Sequence, residues 1–396
     1  MIARQIGEAL PMGTARRQVC WTVKVALWVV ALLVFAVANA EAAPIVVDHN
    51  ATPCITPSVH FTTIQAAVNA APSGATIHVC PGNYPEQVTI SLTLTLDGIS
   101  AGSGVNPVIT SPPTGVVANA TSAGGDSIAA QVFVNSVGSV DISGIAVDGS
   151  NSQVAGGCAP VLVGIYYQNT SGEVSHVSVR NQSGNGCAYP IFVETTGSAS
   201  QAVTIDKSSI HDFDNGGVVA CSGAAGCFGS PVSGATSPTV TLTSNTIADV
   251  GPPSFGIYLF GAAASVTDNF LSGFGDAIIV RETSTASLSN NSIGESLYAI
   301  SVTGNAGIQV TSNKLFRNTT AGIIMVGASN TTVKGNVITN SPGTGVGIEF
   351  GCSGTNNNVI SNTFDNVGTG LHSVPAGNTT TPNNYFNVTT KQTGGC

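Results

Sequence analysis

Ser244-Asn245-Thr246-Ile247, Asp268-Asn269-Phe270-Leu271, Asn290-Asn291-Ser292-Ile293, Ser312-Asn313-Lys314-Leu315, Gly335-Asn336-Val337-Ile338 and Ser361-Asn362-Thr363-Phe364 are copies of one phrase. In each, an Asn stands two residues before an aliphatic or aromatic side chain. Successive Asn positions are 24, 22, 22, 23 and 26 residues apart. A fixed phrase at such a period, with loops of varying length, is the signature of a solenoid.

A second anchor follows each phrase: Gly256-Ile257, Ala277-Ile278, Ala299-Ile300, Gly322-Ile323, Gly347-Ile348 and Gly370-Leu371, with fainter copies at Gly164-Ile165, Pro190-Ile191 and Gly217-Val218. Apolar residues alternate there, as in Ile257 and Leu259 or Ile278 and Val280. Period two is the mark of a strand with one face buried, so each coil holds at least two short strands. A small residue before the second strand suits a sharp corner. A β-sandwich would not need the same Asn at the same place in successive units. In stacked coils, equivalent residues lie about 4.8 Å apart, and an Asn at a bend can bond its neighbours above and below. The expected fold is an all-β, right-handed parallel β-helix, with the six Asn residues as a structural ladder.

Solenoid ends need covers. Residues 61–71 read as a short capping α-helix, with Thr62 or Thr63 as N-cap and Ile64, Ala67, Val68 and Ala71 on one face. Ala75 to Cys80 and Val88 to Leu96 read as the first strands. The expected organisation is a signal peptide over 1–40 and one domain over 41–396. Within that domain the cap covers about 45–75, the coils about 76–375 and a C-terminal cap about 376–396.

The signal is read from Arg4, Arg16, Arg17 and Lys24, ahead of the apolar run Val25 to Val37 and the small-x-small site Ala38-Asn39-Ala40. Arg16-Arg17 is loosely similar to a twin-arginine signal, and an uncleaved anchor is the competing reading. Export places the mature protein in a periplasm, at a cell surface or outside the cell, with no other membrane contact. Removing 1–40 takes four of 11 basic and one of 20 acidic residues, leaving seven against 19, a net of −12. No basic run remains to meet a phosphate backbone, which argues against nucleic acid. With 8% charged and 42% hydrophobic residues, the composition is not that of a disordered chain.

Beyond Cys20, eight cysteines remain, an even number that suggests disulfides in an exported chain. Proximity along the coils pairs Cys54 with Cys80, Cys158 with Cys187, Cys221 with Cys227, and Cys352 with Cys396. No Cys/His spacing points to zinc.

The stretch from Phe61 to Ile90, FTTIQAAVNAAPSGATIHVCPGNYPEQVTI, with its Gly82-x-Tyr84-x-Glu86 element, resembles the opening segment of pectinesterases. The later coils resemble the repeat of the pectin lyase-like superfamily at large. The resemblance spans about 330 residues and implies fold, since fold does not fix function. The Gln, Asp and Arg-Pro-Trp elements of pectinesterases, the Asp-Asp and Gly-His-Gly elements of polygalacturonases and the Arg-x-Pro-x-x-Arg element of pectate lyases are absent from the sequence. Gly275-Asp276-Ala277-Ile278 is a partial echo of one of them.

The repeat register places outward side chains in two columns. One runs through Tyr166, Phe192, Val219, Tyr258, Ile279, Ser301, Ile324, Glu349 and His372. The other includes Gln168, Glu194, Cys221, Phe260, Arg281, Thr303 and Val326. Aromatics on such a face can stack on sugar rings; the competing reading is that loops cover them. Tyr258, Phe260 and Arg281, with Tyr166, Glu194 and Glu349 toward the ends, form the candidate polysaccharide-contact surface. An aromatic pair beside a guanidinium suits a sugar carboxylate or hydroxyl. Glu349 and His372 fall on adjacent coils and form a candidate acid–base pair, against the reading of a cross-strand polar pair. Asp206, Asp212, Asp214 and Asp249 are oxygen donors that suit calcium, against the reading of a solvated acidic loop. Glu295 and Arg317 read as a surface ion pair. Three functions stay open: a non-catalytic contact with extracellular polysaccharide, a carbohydrate-active enzyme with an atypical site, or a structural or adhesive surface protein. Oligomeric state is not legible in the sequence.

Overall fold

The residue that opens each repeated phrase is Ser, Asp, Asn or Gly for a backbone reason. In a computed structural model of the chain, Ser244, Asp268, Asn290, Ser312, Gly335 and Ser361 all have φ between 57° and 69°, the left-handed region that small polar residues and glycine tolerate best. The structure describes residues 43–395 apart from 50–53, 57, 101–105, 136–137, 155, 184–185, 226–231, 250–253 and 305–306, and at 340–344 the backbone alone. The signal peptide expected over 1–40 lies outside the described residues, as do Cys227 and Cys396.

Each left-handed residue turns the chain from one strand into the next. In one coil, Ala263–Thr267, Phe270–Ser272 and Asp276–Arg281 follow one another. They pair in parallel with Thr285–Ser289, Ser292–Gly294 and Tyr298–Thr303 of the next coil. The coil thus has three strands. The first of them carries a weak signal in the sequence, because Ala263-Ala264-Ser265-Val266-Thr267 is mostly small or polar. First strands form a 13-stranded sheet, and the other two runs belong to a 23-stranded one. This is the parallel β-helix read from the repeat, and Pro44–Cys396 forms one compact unit.

The register is the one the second anchors imply. Ile165, Ile191, Val218, Ile257, Ile278, Ile300, Ile323, Ile348 and Leu371 form a single inward column, each paired with the next. All are fully buried. The corner before them is tight: a Cβ on Gly256 would stand 2.5 Å from the Ala277 carbonyl oxygen.

The Asn ladder is continuous from Asn245 to Asn362 and gains a seventh rung, Asn383. After Asn245, whose Oδ1 accepts from the Ser208 N–H, each rung's Oδ1 accepts from the backbone N–H and from the Nδ2 of the rung before it, at 2.8–3.1 Å. Each Nδ2 also donates to a first-strand carbonyl, such as Val266 for Asn291 and Leu288 for Asn313. A shorter ladder, Thr331 to Asn357 to Asn378, lines another corner.

At the N-terminal end the helix spans Ile64–Ala70, with Thr63 as N-cap. Its first two free N–H groups donate to Glu86, Ile64 to Oε1 at 2.7 Å and Gln65 to Oε2 at 2.9 Å. The buried Tyr84 donates to the Cys80 carbonyl at 2.7 Å. The Gly82-x-Tyr84-x-Glu86 element therefore fastens the cap, a structural task. The strands begin earlier than expected, since Val59–Phe61 and Ile45–Val47 pair ahead of Ala75–Val79. The run from Val88 splits into Val88–Ile90 and Leu94–Gly98, which lie in different sheets. At the far end, Asn384–Phe386 and Thr390–Gly394 pair with Thr363–Val374 as a further coil. Tyr385 stacks on Phe364 there, at 5.2 Å between centroids.

Cys54–Cys80 and Cys158–Cys187 are disulfides with Cα atoms 5.8 and 5.1 Å apart. Cys221 and Cys352 are also disulfide-bonded; their expected partners, Cys227 and Cys396, fall outside the described residues.

Candidate functional site

The outward face of the third strands changes character along the solenoid. On the N-terminal coils it is covered. Phe133, Tyr166, Phe192, Val219 and Cys221 form a second hydrophobic cluster with Ile128, Val163 and Tyr189. Over it runs a segment that contains a short antiparallel pairing, Ala120–Thr121 against Ser127 and Ile128. This cover is fastened by side chains. Gln87 donates to the Val117 carbonyl and accepts from the Val117 N–H, both at 2.9 Å. Gln168 Nε2 donates to the Thr121 carbonyl at 2.7 Å. Glu194 Oε1 accepts from the Ala123 N–H at 3.0 Å, and its Oε2 accepts from the Tyr166 hydroxyl.

Tyr166 and Glu194, expected on the open contact surface, are therefore corrected. They stand in the expected register, since Tyr166 pairs with Phe192 and Gln168 with Glu194, but both are fully buried. The physical reason is the cover, which gives the apolar column a partner it could not find in water. Burial pushes the Glu194 carboxyl above its ordinary value, despite hydrogen bonds that favour the charged form. The Tyr166 hydroxyl is pushed up as well, by burial and then by the neighbouring Glu194 charge.

Farther along, the face is open. A chain of rings links the two halves. Phe133 stacks on Tyr166 at 5.3 Å and Tyr166 on Phe192 at 4.9 Å. Tyr189 bridges Phe192 to Phe255, both at 6.3 Å. Phe255 meets Tyr258 at 5.2 Å, and Tyr258 meets Phe260 at 5.7 Å. The last three rings are partly exposed. Arg281 pairs in register with Phe260 and Ile279 with Tyr258, so Tyr258, Phe260 and Arg281 lie on one face. Among the described residues, no carboxylate pairs with the exposed Arg281 guanidinium.

Three residues of this face stand one position before the small corner residue: Phe255, Asp276 and Tyr298. They form one column, with Phe255 paired to Asp276 and Asp276 to Tyr298. All are partly exposed, and Asp276 Oδ1 accepts from the Ser301 hydroxyl. The sequence carried this signal in Phe255-Gly256, Asp276-Ala277 and Tyr298-Ala299, three residues upstream of the nearer column first read as outward.

Glu349 and His372 are paired in register, with Glu349 Oε2 2.7 Å from His372 Nδ1. The Ser373 hydroxyl lies 3.1 Å from the same nitrogen. Among the described residues Nε2 has no hydrogen-bond partner, so the imidazole is backed by a carboxylate on one side and open on the other. Such a pair can hold a proton at Nε2 or release it.

The four aspartates proposed for calcium are not brought together. Asp206 pairs with Lys207 and Asp212 with His211, each at 2.7 Å. Asp214 accepts from the Gly186 N–H at 3.0 Å, and Asp249 lies a coil away, beside Thr246–Ala248. They occupy separate strands and turns. Among the described residues, the group with metal-ligand spacing is Asp48, Cys54 and Cys80, and both sulfurs are bound in the disulfide. Glu295 and Arg317 form the expected surface pair at 3.1 Å.

In sequence, residues 226–395 match the family model of NosD, described as a periplasmic copper-binding protein. The matched segment contains one His, His372, and one Met, Met325. Met325 is buried in the core and Cys352 is disulfide-bonded. Among the described residues this segment does not assemble the imidazole and sulfur donors that suit copper. No protein of curated function matches the chain. Solved structures that share the fold include the lacto-N-biosidase of glycoside hydrolase family 136 from Eubacterium ramulus. Its TM-score is 0.64 at 10% identity, covering 95% of this chain and 72% of that one. The periplasmic alginate epimerase AlgG has a TM-score of 0.52 at 12% identity, covering 84% of each chain. PfbA, a surface adhesin of Streptococcus pneumoniae, has a TM-score of 0.50 at 14% identity, covering 83% of this chain and 89% of that one. Identities this low show fold alone. The chain is a parallel β-helix. No helix among the described residues is long and apolar enough to cross a membrane.

Proposed function

We propose that the protein is exported and contacts extracellular polysaccharide through the open part of its third-strand face, between Phe255 and His372. The observation that carries this reading is the ring chain from Phe133 to Phe260. Where the chain is covered, it is core. Where it emerges, three rings remain partly exposed beside the Arg281 guanidinium, which has no carboxylate partner among the described residues. A flat sheet with exposed rings offers stacking surface to a sugar without a cleft: Phe255, Tyr258 and Phe260 share one strand, and Tyr298 stands in register two coils on. The likeness to an epimerase, a glycoside hydrolase and an adhesin supports the reading without specifying the polymer or a reaction.

Titration of the mature protein with a panel of soluble polysaccharides tests the proposal. The wild type should bind at least one polymer. Tyr258→Ala and Arg281→Ala should each weaken that binding by about 3- to 10-fold, the scale of one stacking or polar contact. A polymer bound equally well by the wild type and both variants would place the contact elsewhere.

A further inference from the structure

Resting on that reading, we propose that the open face is a subsite for a neutral, hydroxyl-rich glycan, with Asp276 as its central polar group. Asp276 opens the strand Asp276–Arg281. Register puts it between Phe255 on one coil and Tyr298 on the next, each about one strand spacing away. Its carboxylate reaches the outward side, because Oδ1 accepts from Ser301 and Ser301 pairs in register with Ile279, in the column of Tyr258. A carboxylate thus lies among three partly exposed rings, Phe255, Tyr258 and Tyr298.

No cation neutralises it. Among the described residues the ion pairs of this protein lie elsewhere, and Asp276 Oδ2 makes no hydrogen bond. Arg281 is five residues along the same strand, about 17 Å away at 3.3–3.4 Å per residue. An ionised carboxylate only accepts hydrogen bonds, so the ligand here must bring donors. Sugar hydroxyls are such donors, and their C–H faces suit the rings on either side. A sugar carboxylate would bring a second negative charge to a chain of net charge −9, on a face that also holds Glu349. Arg281 alone would favour a uronate; Asp276 at the centre of the rings outweighs it, because a like charge in contact repels where a remote exposed cation is screened.

The test uses the mature protein, a neutral β-glucan (laminarin) and polygalacturonate at low salt, with Asp276→Asn and Tyr298→Ser. Asp276→Asn keeps an acceptor for Ser301, and a thermal melt within a few degrees of wild type verifies its fold. The expected result is that the wild type binds the glucan and not the polyuronate. Asp276→Asn should weaken glucan binding by about 10-fold or more, as expected for lost charge-assisted hydrogen bonds, and Tyr298→Ser should weaken it as well. Binding of polygalacturonate alone, or its tightening in Asp276→Asn with glucan binding unchanged, would overturn the inference and leave the contact face intact. Glucan binding unaffected by both substitutions would also overturn it. Failure to bind these two polymers and every other member of the panel would instead sink the polysaccharide reading itself.

Discussion

Asn313→Ala should lower the unfolding free energy by roughly 3–5 kcal/mol, the scale of four buried hydrogen bonds lost at once. Asn313 Oδ1 accepts from the N–H and the Nδ2 of Asn291, both at 2.9 Å. Its own Nδ2 donates to the Leu288 carbonyl at 2.9 Å and to Asn336 Oδ1 at 3.0 Å. Removing the side chain takes a hydrogen bond from two donors and two acceptors in a buried site, although Asn291 Nδ2 keeps the Val266 carbonyl and Asn336 Oδ1 keeps the Asn313 N–H. Asn313→Asp should not rescue the loss, because it restores the acceptor and not the donor. Urea denaturation measures the effect, with Thr285→Ala on the exposed side of a first strand expected within about 0.5 kcal/mol of wild type. A solenoid propagates stability between neighbours, so hydrogen exchange should quicken first in the coils on either side of Asn313. A ladder rung that could be removed at under about 1 kcal/mol would show that the repeated Asn is not what joins the coils.

Glu194→Ala should cost roughly 3 kcal/mol, since it strips the Tyr166 hydroxyl, the Ala123 N–H and Gln168 of an acceptor in a buried site. The wild type should also carry a pH signature from this group. Burial raises the Glu194 carboxyl above its unfolded value, so between the unfolded and the folded values the native state holds a proton that the unfolded state has released. The associated stability is fully present below the unfolded value, near 4.3 for a free Glu, and is lost as pH rises through the folded one. Other groups titrate nearby, so the readout is the difference between wild type and Glu194→Gln across pH 4 to 8. Wild type should lose stability relative to the variant as pH rises, and a flat or opposite difference would contradict the buried, cover-bound placement of this carboxyl.

The sequence made the stacking legible because a ladder demands one residue type at one place in every coil. Phrases with Asn two positions before an apolar residue left few alternatives, and the inward column from Ile165 to Leu371 followed from strict alternation. The cap helix was legible from its spacing, and Glu86 and Tyr84 give its flanking motif a structural task. A cover was one of two readings of the outward columns; which segment lies over Tyr166 and Glu194 was not legible. A loop segment such as 117–126 has no period, and nothing local says which face it will lie on. Asp276 was read as an echo of another enzyme rather than as part of the face, because alternation fails at a corner: Ala277 and Ile278 are both buried, which brings the residue before them to the outward side. The four aspartates suggested a cage around one turn, but Asp206 ends one strand and pairs with Lys207, Asp212 stands at a left-handed turn (φ 57°) beside His211, and Asp249 follows a strand of the next coil.

Oxidative footprinting of side chains by hydroxyl radicals, with and without a polysaccharide that the protein binds, tests the contact face most directly. The account predicts protection of Phe255, Tyr258, Phe260 and Tyr298, with no change at Phe270 and Phe386, which are exposed on the second strands. Protection of Phe270 and Phe386 with the third-strand rings unchanged would contradict it.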